Sequence, residues 1–151
     1  MRQNVQNGNY SEVVVSVPPL ESTYDATAND SDKTWVVPLN EMWKIHWIHV
    51  ILISTATVGN RAMTVSILDG AGNEIFDTVA AAVQAASLTR HYSFLQGTYR
   101  EAAFASDEIQ SPIPVDCYLG PGYTLRVRDR AAVDASADDM TVSFQYQRLI
   151  V

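Results

Sequence analysis

The chain has 151 residues, of which 47% are hydrophobic and 18% charged, so it can bury the core of a single domain without covalent staples. Its formal net charge of -7 repels phosphate backbones and anionic lipid headgroups, which argues against nucleic acid and membrane surfaces as partners. The single cysteine, Cys117, excludes a disulfide within the chain and a thiolate metal cage.

Residues 1–12 are rich in Asn and Gln and show no hydrophobic period. Because they bury too little apolar surface to order alone, we expect a flexible N-terminal arm, with a frayed terminus as the alternative. Arg2, Val5 and Tyr10 are spaced along it as candidate partner-binding anchors. An arm of this kind can add a strand to a neighbour's exposed sheet edge. No secretory signal or membrane-spanning stretch is found in the sequence, which favours synthesis in a cytoplasm.

Residues 13–151 are predicted to form one β-domain. The β-branched run 13–17, ended by two prolines, predicts a first strand, and the polar, acidic segment 21–33 predicts a loop. A short extended run follows at 35–37. The segment 43–53 alternates large apolar with polar residues and then becomes apolar on both faces, which predicts a long central strand.

The second half of the chain continues with strands and turns. Further strands are predicted at 63–67, 73–78, 91–95, 113–119, 123–127 and 142–146. The DGAGN segment joins the first two of them as a hairpin, and 120–122 (GPG) is a tight turn. The stretch AAAVQAAS at 80–87 is equally compatible with a short helix and with a crossing loop, and 97–112 is predicted to be irregular.

About eight strands without βαβ alternation predict an all-β fold, a two-sheet antiparallel jelly-roll-like sandwich. Period-two alternation in four segments predicts which side chains share its core. The predicted core residues are Trp43, Ile45, Trp47, Met63, Val65, Ile67, Leu125, Val127, Val142, Phe144 and Tyr146.

The three histidines are the first place to look for a metal. His46 and His49 lie three positions apart in one predicted strand, so they point to opposite faces unless a bulge intervenes, and His91 is distant in sequence. The spacing of metal-binding cupins is missing, as are the nucleophile-elbow and phosphate-loop motifs. We therefore expect no catalytic residue, no metal and no cofactor.

Two further features leave alternatives open. Asp129, Asp134, Asp138 and Asp139 cluster in one acidic segment, which could bind calcium or be a solvated loop. The tryptophans could form a sugar-stacking platform, but alternation places Trp43 and Trp47 in the core. Trp35 is then the tryptophan predicted to be exposed, and it joins the arm residues as a candidate partner contact.

Several segments together resemble small virion proteins of tailed bacteriophages. They are Trp43–Val50, the TATVGNR turn, Met63–Ile67, the DGAGN hairpin, LGPGYTLRVRD and the closing DDMTVSFQY, and the resemblance covers about residues 35–148. Some members of this group are jelly-roll capsid decoration (cement) proteins, and others are neck or fibre components. The resemblance implies a structural protein of the virion, made in the host cytoplasm.

The function predicted from these observations is capsid decoration. A homotrimer is expected to bridge subunits of the major capsid protein without catalysing a reaction, since low charge content and a preference for Arg over Lys suit a subunit that buries an extra face. A neck or tail-fibre module that binds host carbohydrate is the main alternative, and a small jelly-roll enzyme is the third.

Overall fold

The computed structural model describes residues 18–29, 32–102, 105–134 and 137–151. All regular elements in these ranges are β-strands, so the all-β prediction is confirmed, and no helix there could span a membrane. The strands are β1 Leu20–Asn29, β2 Lys33–Val36, β3 Glu41–Ile53, β4 Met63–Leu68, β5 Glu74–Val79, β6 Thr89–Gln96, β7 Glu108–Ile113, β8 Tyr118–Leu119, β9 Thr124–Asp129 and β10 Asp139–Ile150.

The strands form two packed sheets with jelly-roll connectivity. Sheet one has the order β1-β10-β3-β6-β7, with β8 added to β3, and sheet two has the order β2-β9-β4-β5. Four antiparallel pairs are nested along the chain: β4 with β5, β3 with β6, β2 with β9, and β1 with β10. This is the pattern of one long hairpin rolled into a sandwich, so the predicted fold class is confirmed. The pairing of β6 with β7 is parallel.

The core lies between the sheets and is lined by the predicted alternating residues. Ile45, Met63 and Phe144 are fully buried, and Trp43 packs its ring 4.5 Å from that of Tyr146. Every predicted core residue except Trp47 is buried. Alternation succeeds in β4, β9 and β10 because each of these strands keeps one face against the opposite sheet.

The prediction of a loop over 21–33 is wrong, because most of it is strand β1. It pairs with β10 from Leu20↔Gln147 to Asp25↔Val142. The strand lies at the edge of the sheet, where one side receives backbone hydrogen bonds and polar side chains meet water. For this reason the polar composition of an edge strand predicts a loop. The predicted strand at 13–17 and the arm at 1–12 lie outside the described residues.

Three other segments differ from the expectation or resolve it. Residues 108–112, predicted to be irregular, form β7 together with Ile113, while the rest of the predicted strand 113–119 is interrupted by a turn in which Asp116 has a φ of 57°. Pro114 in this segment cannot donate to a ladder, which favours the break. The stretch 80–87 is not helical but an irregular connection, tied to the domain by a bridge between Gln84 and Arg61.

Strand β3 contains a bulge that changes the direction of its side chains. Tyr146 pairs with Ile45, but the preceding Gln145 pairs with Trp47, so His46 is the extra residue. After this insertion the buried positions are Ile48, Val50 and Leu52. The prediction that Trp47 lies in the core is wrong for this reason, since the bulge turns its ring to the outer face of sheet one.

Candidate functional site

The outer face of sheet one is almost free of charge. Its side chains come from all five strands of the sheet path, and we call them the neutral face: Ser22, Tyr24, Trp47, His49, Ile51, His91, Ser93, Leu95, Gln110, Pro112, Thr141, Ser143 and Gln145. Among the described residues, the acidic and basic side chains on this side lie at its margin, at Lys44, Glu101, Glu108 and Asp139. The centre of the face is therefore hydroxyl, amide, imidazole and aromatic in character.

The strand order explains why the neutral face is continuous. Residues directly opposite in paired strands point to the same side of a sheet. One row crosses it from Tyr24 through Ser143, His49 and Ser93 to Gln110. In the next row, the Trp47 indole nitrogen donates to the Gln145 side-chain oxygen at 3.1 Å. This bond fixes the ring on the face.

The outer face of sheet two has the opposite character. Glu74 on β5 accepts hydrogen bonds from both Arg126 and Arg128 on β9. Arg130 extends this ladder through a 3.0 Å ion pair with Asp77. These pairs confirm that the arginines of β9 point outward. Charge on this face is paired within the chain: Arg126, Arg128 and Glu74 are partly buried, whereas Arg130 and Asp77 are exposed to water.

The neutral face contains a pair of histidines that the sequence separates by 42 positions. His49 Nε2 lies 3.3 Å from His91 Nδ1, and the two rings are 5.4 Å apart with an interplanar angle of 32°. Both rings are half-buried. Burial chiefly, and the neighbouring His91 in addition, lowers the pKa of His49, so its imidazole is neutral at pH 7.

The bulge also changes the side to which His46 and His49 point. Alternation predicts opposite faces for them, which is wrong, because the extra residue places both on the outer side of sheet one. The partner of His49 is nevertheless His91, on the adjacent strand β6. No sequence pattern indicates this pair, because the contact depends on the register between two strands.

Three of the four aspartates considered for calcium accept hydrogen bonds from different protein donors. Asp138 is fully buried and forms a bidentate pair with Arg61, with Nε–Oδ2 and Nη2–Oδ1 distances of 2.6 and 3.0 Å. Asp134 accepts from the hydroxyls of Thr55 and Thr57, both at 2.7 Å. A guanidinium therefore occupies the position beside Asp138 that a bound cation would need.

The remaining two aspartates do not converge on this pair. Asp129 accepts from the backbone nitrogens of Ala62 and Ala131, and Asp139 pairs with Ile53 on the outer side of sheet one. Within the described ranges, no group of three or more His, Cys, Asp or Glu side chains is placed to hold a metal ion.

The Arg61–Asp138 pair fixes two loops to each other. Arg61 Nη1 also donates to the carbonyls of Thr57 and Gly59. Burial would raise the pKa of Asp138, but the hydrogen bonds from Arg61 and Thr55 outweigh it, and the net effect is a lowered pKa. Asp138 is therefore ionised at neutral pH, and the pair acts as a structural clamp.

Of the predicted partner contacts, the structure describes Trp35. Its ring lies edge-on to Phe144, with centroids 4.9 Å apart, and packs against the core. It is therefore not the freely exposed ring expected from the sequence, and Trp47 is the tryptophan on the outer surface. Arg2, Val5 and Tyr10 lie outside the described residues.

One end of the sandwich carries a group of exposed apolar side chains, which we call the apolar rim. Leu39 is 83% exposed, Ile150 69% and Val151 63%. The Val151 backbone nitrogen donates to the Asn40 carbonyl, and Ile150 pairs with Glu41, so the three side chains lie at the same end. Adjacent exposed apolar side chains make the apolar rim a candidate contact surface.

Comparisons with known proteins give a weak likeness of shape. No family model matches the chain, and no curated protein matches it. A solved chain in the structure of the infectious bursal disease virus Gx strain is similar over 88% of this chain, with 7% sequence identity and a TM-score of 0.31. This chain spans about a third of the length of that solved chain, since the match covers 33% of it.

Proposed function

We propose that this protein is a structural subunit of a virus particle, a capsid decoration protein of the tailed-bacteriophage type that performs no reaction. The observation that carries the proposal is the contrast between the two outer faces. One is covered by a ladder of Arg and Glu pairs, and the other is neutral across five strands. Interface cores are depleted in charge and enriched in aromatic residues, which is the composition of the neutral face.

The neutral face and the apolar rim suit different partners. Contacts between copies of one chain are more apolar than contacts with a separate partner, so we assign the apolar rim to self-association, as a homotrimer. We assign the neutral face, with its hydroxyls and amides, to the major capsid protein. The resemblance of residues 35–148 to phage virion proteins supports this choice of partner.

The area of one neutral face is small, which favours a weak contact between each copy and the capsid. Five strands about 4.8 Å apart and five residues at about 3.3 Å each define roughly 24 by 17 Å, or about 400 Å² in projection. A standard interface buries about 800 Å² per partner. A trimer that presents three such faces to a repeating lattice would gain avidity from their simultaneous engagement.

The test of the capsid contact is occupancy of virions by variants with one new charge. Ser143 lies inside the neutral face on β10, between Tyr24 and His49, and Ser143→Glu would leave an unpaired carboxylate in the contact. Thr34→Glu on the exposed outer side of β2 is the matched control. We expect the control to occupy virions at hundreds of copies and Ser143→Glu to fall at least about tenfold. Equal occupancy by the two folded variants would refute the assignment.

Self-association is tested separately by light scattering at micromolar concentration. The wild-type chain should give about three times its 16.7 kDa mass, and Leu39→Ser combined with Ile150→Ser should give a monomer. Val58→Ser is the control, because Val58 is 91% exposed at the opposite end of the sandwich. A wild-type monomer would remove the trimer from the proposal.

The alternative role, a neck or tail-fibre module that binds carbohydrate, is favoured by one observation. Trp47 holds its ring on the outer face beside an amide, and aromatic rings with neighbouring amides are the groups that recognise sugars. Tens of copies per virion, together with glycan binding lost in Trp47→Ala, would select this role over decoration.

A further inference from the structure

The two histidines of the neutral face are arranged as metal ligands are. His49 Nε2 and His91 Nδ1 are 3.3 Å apart on adjacent strands. Zinc binds imidazole nitrogen at about 2.0–2.1 Å with tetrahedral geometry, so two histidine nitrogens on one ion are about 3.3 Å apart. A hydrogen bond between two neutral imidazole rings also spans this distance, so a bound ion would replace that bond at the same two nitrogens.

The surroundings of the pair suit a divalent cation. Glu108 on β7 is the direct neighbour of His91 in the sheet, and its charge acts on His49. Both imidazoles are half-buried in the sheet face, which restricts their rotamers before any ion arrives.

The backbone holds the pair in position through features of the local fold. The bulge at His46 turns His49 outward, and the ladder between β3 and β6 sets the register of His91. The backbone nitrogen of His91 donates to the carbonyl of Asp107, which ties β6 to the segment leading into β7. Ligands on paired strands are positioned more precisely than ligands on loops.

We propose that His49 and His91 form a binding site for one borderline divalent transition-metal ion, such as Zn²⁺ or Ni²⁺, with the remaining positions filled by water. Imidazole prefers such ions, whereas Mg²⁺ and Ca²⁺ prefer oxygen ligands and should not bind. The site lies on the neutral face but does not depend on the proposed role in the virion, and each proposal can fail without the other.

Isothermal titration calorimetry of the full chain with ZnCl₂ and with NiCl₂ tests the site. We expect one ion per chain, and binding at least about tenfold weaker in His49→Gln and in His91→Gln, since each removes one of two protein ligands. His46→Gln is the matched control, because it replaces a histidine on the same strand and the same side but outside the pair. MgCl₂ serves as the control ion.

Circular dichroism and thermal unfolding establish that each variant is folded before titration. A second readout is the chemical shift of the imidazole protons, which should change on addition of Zn²⁺ for His49 and His91 but not for His46. Absence of saturable Zn²⁺ and Ni²⁺ binding by the wild-type chain would overturn the proposal. So would equal loss of binding in all three variants, or no loss in the two variants of the pair.

Discussion

The buried ion pair gives the sharpest stability prediction. Asp138→Asn removes the negative charge from a site where Arg61 and Asp138 are both 0% exposed. The guanidinium keeps its bonds to the Thr57 and Gly59 carbonyls but loses its counter-ion. Removing one partner of a buried pair costs about 3–5 kcal/mol, because it leaves an uncompensated buried charge. This is a large part of the ~5–15 kcal/mol that stabilises a typical domain.

Urea unfolding followed by tryptophan fluorescence measures this loss. The midpoint should fall with little change in the slope, and the melting temperature should drop by roughly 6–20 °C. Asp139→Asn is the matched control, since Asp139 is adjacent in sequence but lies on the outer side of sheet one. It should change the free energy of unfolding by less than about 0.5 kcal/mol.

A double variant separates the clamp from the packing around it. Arg61→Met with Asp138→Leu removes both charges and should recover most of the stability, because apolar replacement of a whole buried pair is often neutral. If Asp138→Asn lies within about 1 kcal/mol of wild type, the pair is not desolvated as its burial implies, and the reasoning fails.

Three further predictions concern pH, the tryptophans and the thiol. Since the pKa of Asp138 is lowered in the folded state, its contribution to stability is complete above the ordinary value of 3.8 and is lost as the pH falls through the folded value. Acid titration of unfolding should therefore show a smaller loss in Asp138→Asn than in wild type. Trp43→Ala should cost about 3–5 kcal/mol, because its ring is buried, whereas Trp47→Ala should cost only about 1–2 kcal/mol; equal midpoints in urea would contradict the bulge. Burial raises the pKa of Cys117 to about 11, so a disulfide reagent at pH 8 should react with it only after unfolding.

Much of the fold was predictable because its central strands obey period two. In β9, Leu125 and Val127 are buried between outward arginines, and in β10 Phe144 and Tyr146 are buried between polar neighbours. Such strands have one face on the core, so apolar and polar residues alternate along them. Edge strand β1 lacks this alternation, since its backbone pairs with β10 while polar side chains line both of its faces.

The candidate sites were less predictable, because they depend on register. The bulge at His46 arises from the pairing of β3 with β10, which the sequence of β3 alone does not show. Because β3 is apolar on both faces just beyond the bulge, its sequence pattern does not reveal that the side chains change sides. The contact of His49 with His91 follows only once β6 is aligned with β3. The ion pair of Arg61 with Asp138 likewise joins loops that lie 77 positions apart in the sequence.

The nested hairpin that builds the sandwich has a consequence for how the chain folds. Its outermost pair, β1 with β10, joins segments separated by nearly the whole described chain, so the loop-closure entropy of this contact is the largest in the fold. Topologies dominated by such distant pairing fold slowly, in milliseconds to seconds. Because Gln147 also bonds the Pro18 carbonyl, both ends of the described chain leave from one place. A circular permutant that joined these two ends would make the pairing of β1 with β10 local in sequence. Its loop-closure cost would fall, and we expect the permutant to fold faster.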